Sequence, residues 1–318
     1  MGRRAGRAEV TGAVQVARAA LHLPLRGLAT LISRSPLCAR GRRLWQQNEA
    51  EWNLPLSKLD KLQTGVFVIL RDYGTGEFPP TFEDQARAYE NERAFRFALP
   101  GVTVDAFRDA EMRKPFWRGG GARRYIEGYL TLAEALERVG VHPPARALEL
   151  GSGGGWLAEF MAVHGYDVTG TTISEEDIRD AHRRIDALGA RGLPGRLRFL
   201  ASPMEEVDGA VGALAPFDVV FMFEALHHAF DYRRALSAAY RALRPGGWVM
   251  ILGEPNVMHT FIAYRGARLT HTHEIGFSRR GLRLALRHAG FGTMRVLKNR
   301  WHAWVRPHWI AAQRPTQP

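Results

Sequence analysis

Residues 146–157, Arg-Ala-Leu-Glu-Leu-Gly-Ser-Gly-Gly-Gly-Trp-Leu, constrain this chain more than any other stretch. A short apolar run ends on a cluster of glycines, and a segment of helical character follows at once. A strand that turns on glycine directly into a helix makes the ligand-binding corner of a doubly wound sheet. Only glycine lets the backbone turn so tightly and brings its N–H groups against a ligand. Two details set this corner apart from a dinucleotide fingerprint. The third glycine of that fingerprint falls at position 156, where the chain has Trp156. Glu149, two residues before Gly151, would also sit badly beside a pyrophosphate. A carboxylate there suits a positively charged ligand, because opposite charges attract strongly in a partly dry crevice.

From Ala145 the pattern alternates between apolar runs and amphipathic stretches. Strands are expected near 146–150, 167–173, 197–201, 217–223 and 247–253, and helices near 155–164, 175–188, 232–243 and 279–289. Such alternation with short connections implies a parallel sheet with helices on both faces. The tail 293–312, carrying Trp301, Trp304 and Trp309, reads as two more strands with no helix between them. Upstream, Ile126, Leu130, Ala133 and Leu136 give Arg123–Val139 the core spacing of a helix. Residues 44–118 read as mainly helical, with anchors at Trp45, Trp52, Phe67, Phe95, Phe97 and Trp117 and breaks at Gly74, Gly76, Pro79-Pro80 and Pro100-Gly101. The expected organisation is therefore a basic extension (1–43), a helical cap (44–122) and a ligand-binding domain (123–318).

The pattern Glu149-x-Gly151-x-Gly153-x-Gly155 resembles the first motif of the class I S-adenosylmethionine-dependent methyltransferases. The resemblance runs from about Arg123 to the end. It implies a Rossmann-like, doubly wound, seven-stranded α/β sheet whose final strand is antiparallel, and S-adenosylmethionine as cofactor. It also implies that the segment before the first strand covers the substrate side of the crevice. By the same resemblance Glu149, Gly151, Ser152, Gly153 and Gly155 form the first part of the cofactor site. The second strand of such proteins usually ends on an acid for the ribose hydroxyls, and here the position holds Thr172. That variant resembles cyclopropane-fatty-acid-synthase-like methyltransferases, which makes Thr172, Ser174 and Asp177 the ribose candidates. Pro203 stands where many relatives place an adenine-binding aspartate, leaving backbone groups near Met204 and Glu205 to define that pocket. For Glu205 and Glu206 a solvated first helical turn is the competing reading.

The fourth strand runs into Phe223-Glu-Ala-Leu-His-His228, and the fifth ends on Gly253-Glu-Pro-Asn256. Ligands of open parallel sheets bind beyond the carboxyl ends of the strands, so Phe223, Glu224 and Glu254 are expected at the crevice. These runs, with His259-Thr260, Glu274 and Ala289-Gly-Phe291, resemble a subset of bacterial methyltransferases linked to surface glycans and other small hydroxylated acceptors. Methyl transfer to a hydroxyl needs alignment and one general base, a task to which histidine is suited. His228 is the first candidate and His227 the second, with Glu224 and Glu254 as orienting or alternative bases. Packing of the next helix is the competing role for His228. His271 and His273, an i, i+2 pair with both rings on one face of an extended segment, raise the question of a metal site with His259 and Glu274. With no cysteine partner and no zinc-type spacing elsewhere, no metal is expected.

The net charge of +12 in 318 residues raises a nucleic-acid reading, but nine arginines against one glutamate in residues 1–43 supply +8 of it. The Asn/Asp-Pro-Pro-aromatic motif of base methylation is also missing after the fourth strand, so nucleic acid is not the expected partner. Nucleic-acid or lipid methylation, and a non-catalytic binding module, remain as alternatives to a small, sugar-like oxygen acceptor. Val14, Ala17, Leu21, Leu25, Leu28 and Ile32 recur at helical spacing among the arginines. That is the pattern of a weak membrane-surface contact, a transit-type peptide or a poorly ordered extension. No uninterrupted apolar run approaches the ~20 residues of a membrane span. With Cys38 as its single cysteine the chain excludes a disulfide framework, which fits a cytoplasmic protein, peripheral to a membrane if the extension binds one.

Overall fold

The computed structural model describes residues 24–78, 82, 84–116, 120–192, 196–274, 276–298 and 307–316. Val14, Ala17, Leu21, Pro79-Pro80, Trp117, Trp301 and Trp304 lie outside them. The alternation seen in the sequence becomes β1 (Arg146–Leu150), β2 (Asp167–Thr172), β3 (Arg196–Ala201), β4 (Phe217–Phe223), β5 (Leu243–Glu254), β6 (Met294–Val296) and β7 (His308–Gln313). The strands form one seven-stranded sheet in the order β3-β2-β1-β4-β5-β7-β6. β1 to β5 pair in parallel and β7 runs antiparallel to β5 and β6. β5 starts at Leu243, earlier than expected, because Leu243 pairs with Phe217 before a register shift.

Residues alternate between the two faces along each strand. In β4, Val219, Phe221 and Phe223 enter one core and Val220 and Met222 the other. Helices α5 (Gly120–Arg138), α6 (Trp156–Val163) and α7 (Glu175–Ala190) cover the first face, and α8 (Tyr232–Ala242) and α10 (Arg279–His288) the second. The strand order reverses between β1 and β4, so the crevice opens beyond the carboxyl ends of these two strands.

Upstream lie α1 (Ala39–Ala50), α2 (Lys58–Thr75), α3 (Gln85–Ala98) and α4 (Val104–Met112). The expected boundary at residue 43 falls inside α1, and residues 24–34 are also helical. The described part of the extension is thus mainly helix. The sequence pattern also hides α9 (Val257–Thr270), which joins the cap after β5. It packs on α2, where Gly65 lets the two backbones touch at Phe261. Tyr264 of α9 is buried in a separate core with Trp45, Phe67 and Val68, and its hydroxyl donates to Asp72 at 2.9 Å. Among the described residues no helix is long and apolar enough to cross a membrane.

Candidate active site

The turn after β1 follows from three glycines with positive φ: Gly151 (68°), Gly153 (51°) and Gly155 (77°). Ser152 fixes it from inside, its backbone N–H donating to Thr171 O at 2.8 Å. A Cβ on Gly155 would collide with the ring of Phe199, whereas one on Gly153 would meet no protein atom within 4 Å. The space beside Gly153 belongs to a cavity of about 290 Å³. Its walls include Gly151, Gly153, Thr172, Ser174, Asp177 and Met204. The strand end that replaces the usual acid is a small network. Thr172 Oγ1 donates to Asp177 Oδ2 at 3.3 Å, and Ser174 Oγ accepts from Asp177 N at 3.2 Å. Asp177 is thus carried from the first turn of α7 into the cavity wall. Ile173 and Ser202 also line it and were not singled out from the sequence.

Glu149 sits beneath the glycine turn and does not form the wall of the cavity. It is 3% exposed, and its Oε2 has no hydrogen-bond partner. Burial pushes its carboxyl up to about 8, against the opposing pull of the Ala158 backbone N–H and Arg184. An orphaned acid under a turn that leaves open space above it fits a cationic ligand group. Ser152 and Gly155 likewise shape the turn from behind.

Two more residues expected at the cofactor site do not line the cavity there. Glu205 is absent from the cavity wall, although Met204 beside it is part of it. Glu205 is buried, accepting from Tyr89 Oη at 2.5 Å and from Asp231 N at 2.7 Å, and so ties α3 to the loop before α8. Burial and the Glu205 carboxylate push the Tyr89 phenol well above its ordinary range. Phe223 is also absent from the crevice wall. Its side chain faces the first core, packed at 5.6 Å from Trp156 and 6.1 Å from Tyr125.

The cap closes the same cavity with Tyr89, Glu92, Arg93, Phe95, Phe107 and Glu111. The spacing of 89, 92 and 93 places them on one side of α3, the one trace of this role in the sequence. The expectation that the upstream segment covers the substrate side is thus too narrow, since α3 and α4 wall the cavity of the glycine turn. Arg184 locks the two parts together, donating to Gly154 O at 2.7 Å and to Glu111 O at 3.2 Å.

A second cavity, of about 350 Å³, is lined by Arg124, Glu224, His227, His228, Asn256 and His259 with Gly253, Pro255 and Pro307. Glu224 and His228 line both cavities. All four residues expected to carry catalysis therefore meet at the ends of β4 and β5. Glu254 is fully buried. Its Oε1 accepts from Ala225 N and Leu226 N, both at 2.8 Å. Its Oε2 accepts from His227 N at 3.2 Å and lies 2.9 Å from His227 Nδ1. Burial alone would raise the Glu254 carboxyl, but His227 and the backbone donors outweigh it and hold it below the ordinary range. The His227 and His228 rings are 4.1 Å apart. His228 Nδ1 lies 3.2 Å from Glu92 Oε2, at an angle outside that of a hydrogen bond, so the contact is one of charge. Burial opposes protonation of His228, yet Glu92, Glu274 and Glu254 together hold its pKa at about 9. Glu224 adopts a left-handed conformation (φ 49°) that turns its carboxylate to Arg124 at 3.3 Å. Burial raises its carboxyl despite Arg124 and His227.

A family model for a methyltransferase domain matches residues 117–295. Among curated relatives, the ubiquinone biosynthesis O-methyltransferase of Bordetella pertussis is 35% identical over 164 residues, covering 49% of this chain and 64% of that protein. That of Chromobacterium violaceum is 31% identical over 156 residues, again 64% of its length. The matches therefore span just under two thirds of these relatives. The magnesium protoporphyrin IX methyltransferase of Synechocystis, solved with bound S-adenosylhomocysteine, superimposes with a TM-score of 0.51 at 14% identity, covering 70% of this chain and 99% of that one. At that identity the superposition speaks for the fold alone. The glycine turn over an orphaned glutamate, the sheet order with its antiparallel last strand and a domain match over more than half the chain converge. The protein is a member of the class I S-adenosylmethionine-dependent methyltransferase family, with S-adenosylmethionine as its cofactor.

Proposed function

We propose that this protein methylates an oxygen of a small hydroxylated, sugar-like acceptor held in the cavity around His227. The observation that carries the reading is the pair of cavities that meet at Glu224 and His228, with the His227–Glu254 pair on the acceptor side. Six of the nine residues around the second cavity are polar, which favours a hydroxylated ligand over a hydrocarbon. Oxygen is also the atom named for the relatives above.

Gly151, Gly153, Thr172, Asp177 and Met204 would hold the cofactor, with Glu149 compensating its positive charge from below. When bound, S-adenosylmethionine supplies a methyl carbon made electrophilic by its sulfonium, and the sulfur leaves as a neutral thioether. Glu254 fixes His227 with Nδ1–H toward the carboxylate, so in the neutral ring the lone pair sits on Nε2. Nε2 takes the acceptor's hydroxyl proton as the oxygen lone pair forms the new carbon–oxygen bond. His228 has a different task from the one ranked first in the sequence. Held protonated at neutral pH by its carboxylate neighbours, it is a fixed cation that steadies the developing oxyanion.

The test is turnover of methyl-labelled cofactor against a panel of hydroxylated acceptors, read by mass spectrometry. His227→Gln should lower turnover by about 10²–10⁴-fold, with cofactor affinity unchanged. Full turnover by that variant would refute the assignment.

A further inference from the structure

Helical stretch 24–34 turns most of its large apolar side chains away from the protein. Its small residues face the protein: Ala29 and Ser33 are buried, and Thr30 abuts Gly74 of α2. Arg42 Nη2 clamps it by donating to Ser33 O at 2.7 Å. Three of its four large apolar residues face outward, Leu25, Leu28 and Leu31 being 50%, 53% and 69% exposed, and Leu37 just beyond them 89%, while Ile32 packs against the core of Trp45 and Phe67. Spaced by three residues, the three helical leucines fall within roughly a third of the circumference. No described element covers them. Residues 24–43 carry five arginines and no acid, and residues 1–23 add four more with a single glutamate. Arg34 and Arg43 are turned to solvent.

We propose that this leucine face, with the arginines around it, is a docking surface for an anionic phospholipid bilayer. Arg40 is paired with Asp60, but exposed leucines beside the solvent-facing Arg34 and Arg43 fit an interface with a hydrocarbon layer below and negative headgroups above. A nucleic acid would use the arginines and leave the leucines in water, whereas a bilayer uses both. The surface is independent of the acceptor chemistry, because it lies on the N-terminal helices and contributes no residue to either cavity of the active site.

The experiment is co-sedimentation of the full chain with vesicles of phosphatidylcholine alone and of phosphatidylcholine with one quarter phosphatidylglycerol. The chain should bind the anionic vesicles at least about tenfold more tightly, and the binding should weaken with added salt. Leu28→Asn/Leu31→Asn should lose about tenfold in that affinity, and so should Arg34→Gln/Arg43→Gln. Both substituted pairs are at exposed positions, so thermal stability and cofactor affinity should stay at wild-type values. Equal binding to the two vesicle types, binding that survives the leucine substitutions, or no vesicle binding would overturn the proposal. So would sedimentation showing that the leucines instead hold two copies together, or affinity for RNA that exceeds affinity for the vesicles.

Discussion

Glu149 offers a measurement that separates the stability of the empty fold from its fitness for a cation. In the unfolded chain its carboxyl ionises near 4.5, while under the glycine turn burial moves it up to about 8. Between those values the folded protein holds a proton that the unfolded chain has released. The sign follows: this group's contribution is greatest below pH 4.5 and declines as pH rises toward 8. Each pH unit costs at most about 1.4 kcal/mol, so the span from 4.5 to 7 costs about 3 kcal/mol, the unfolded carboxyl being only half ionised at its start. Glu149→Gln keeps the shape and removes the titration. Urea unfolding of the cofactor-free protein from pH 4.5 to 8 should show the variant gaining about 3 kcal/mol on wild type between pH 4.5 and pH 7. Binding should move the other way. Wild-type affinity for S-adenosylmethionine should climb between pH 6 and 8 as the carboxylate forms, while the variant binds about tenfold more weakly with no such climb. Parallel stability curves, or an unchanged affinity, would refute the electrostatic role of this residue.

Two further outcomes test the turn and the cap. Gly153→Asp should keep the fold, since aspartate tolerates φ 51° and no protein atom blocks it, but should weaken cofactor binding by at least about 100-fold by filling the cavity. Gly155→Ala should instead lower the melting temperature, because its Cβ meets Phe199 in the core. Glu92→Gln removes the charge that α3 places beside His228. A histidine raised from 6.5 to about 9 stabilises the fold below pH 6.5 and loses that contribution as pH rises through 9. Wild type should therefore exceed the variant by about 1 kcal/mol below pH 6.5, a value discounted for partial solvent exposure of the ring, with the difference fading above pH 9. Melting curves across that range would check it, and a difference that does not depend on pH would count against the pairing.

The strands from 146 to 223 lie within a residue or two of their expected limits because their side chains alternate between two buried faces. Helix α9 escaped because its contacts are distributed over the cap rather than along one apolar stripe facing the sheet. Thr172 and Asp177 were legible as a local pair joined across one turn. The ties between Tyr89 and Glu205, 116 residues apart, and between Glu92 and His228 were not. Phe223 shows the complementary error. Its place at a strand end pointed to the crevice, yet the alternation of β4 turned its ring into the core.

The linear chain by itself determined the alternating architecture, the glycine corner and the cationic character of the ligand, because each follows from periodicity and backbone freedom within a dozen residues. Tertiary structure alone decided which acid meets which base. Glu254 reaches His227, and Glu92 comes from a separate helix to His228, only after the sheet and cap have packed. Protonation depends on burial and on neighbours brought together in space, and neither is written in local sequence.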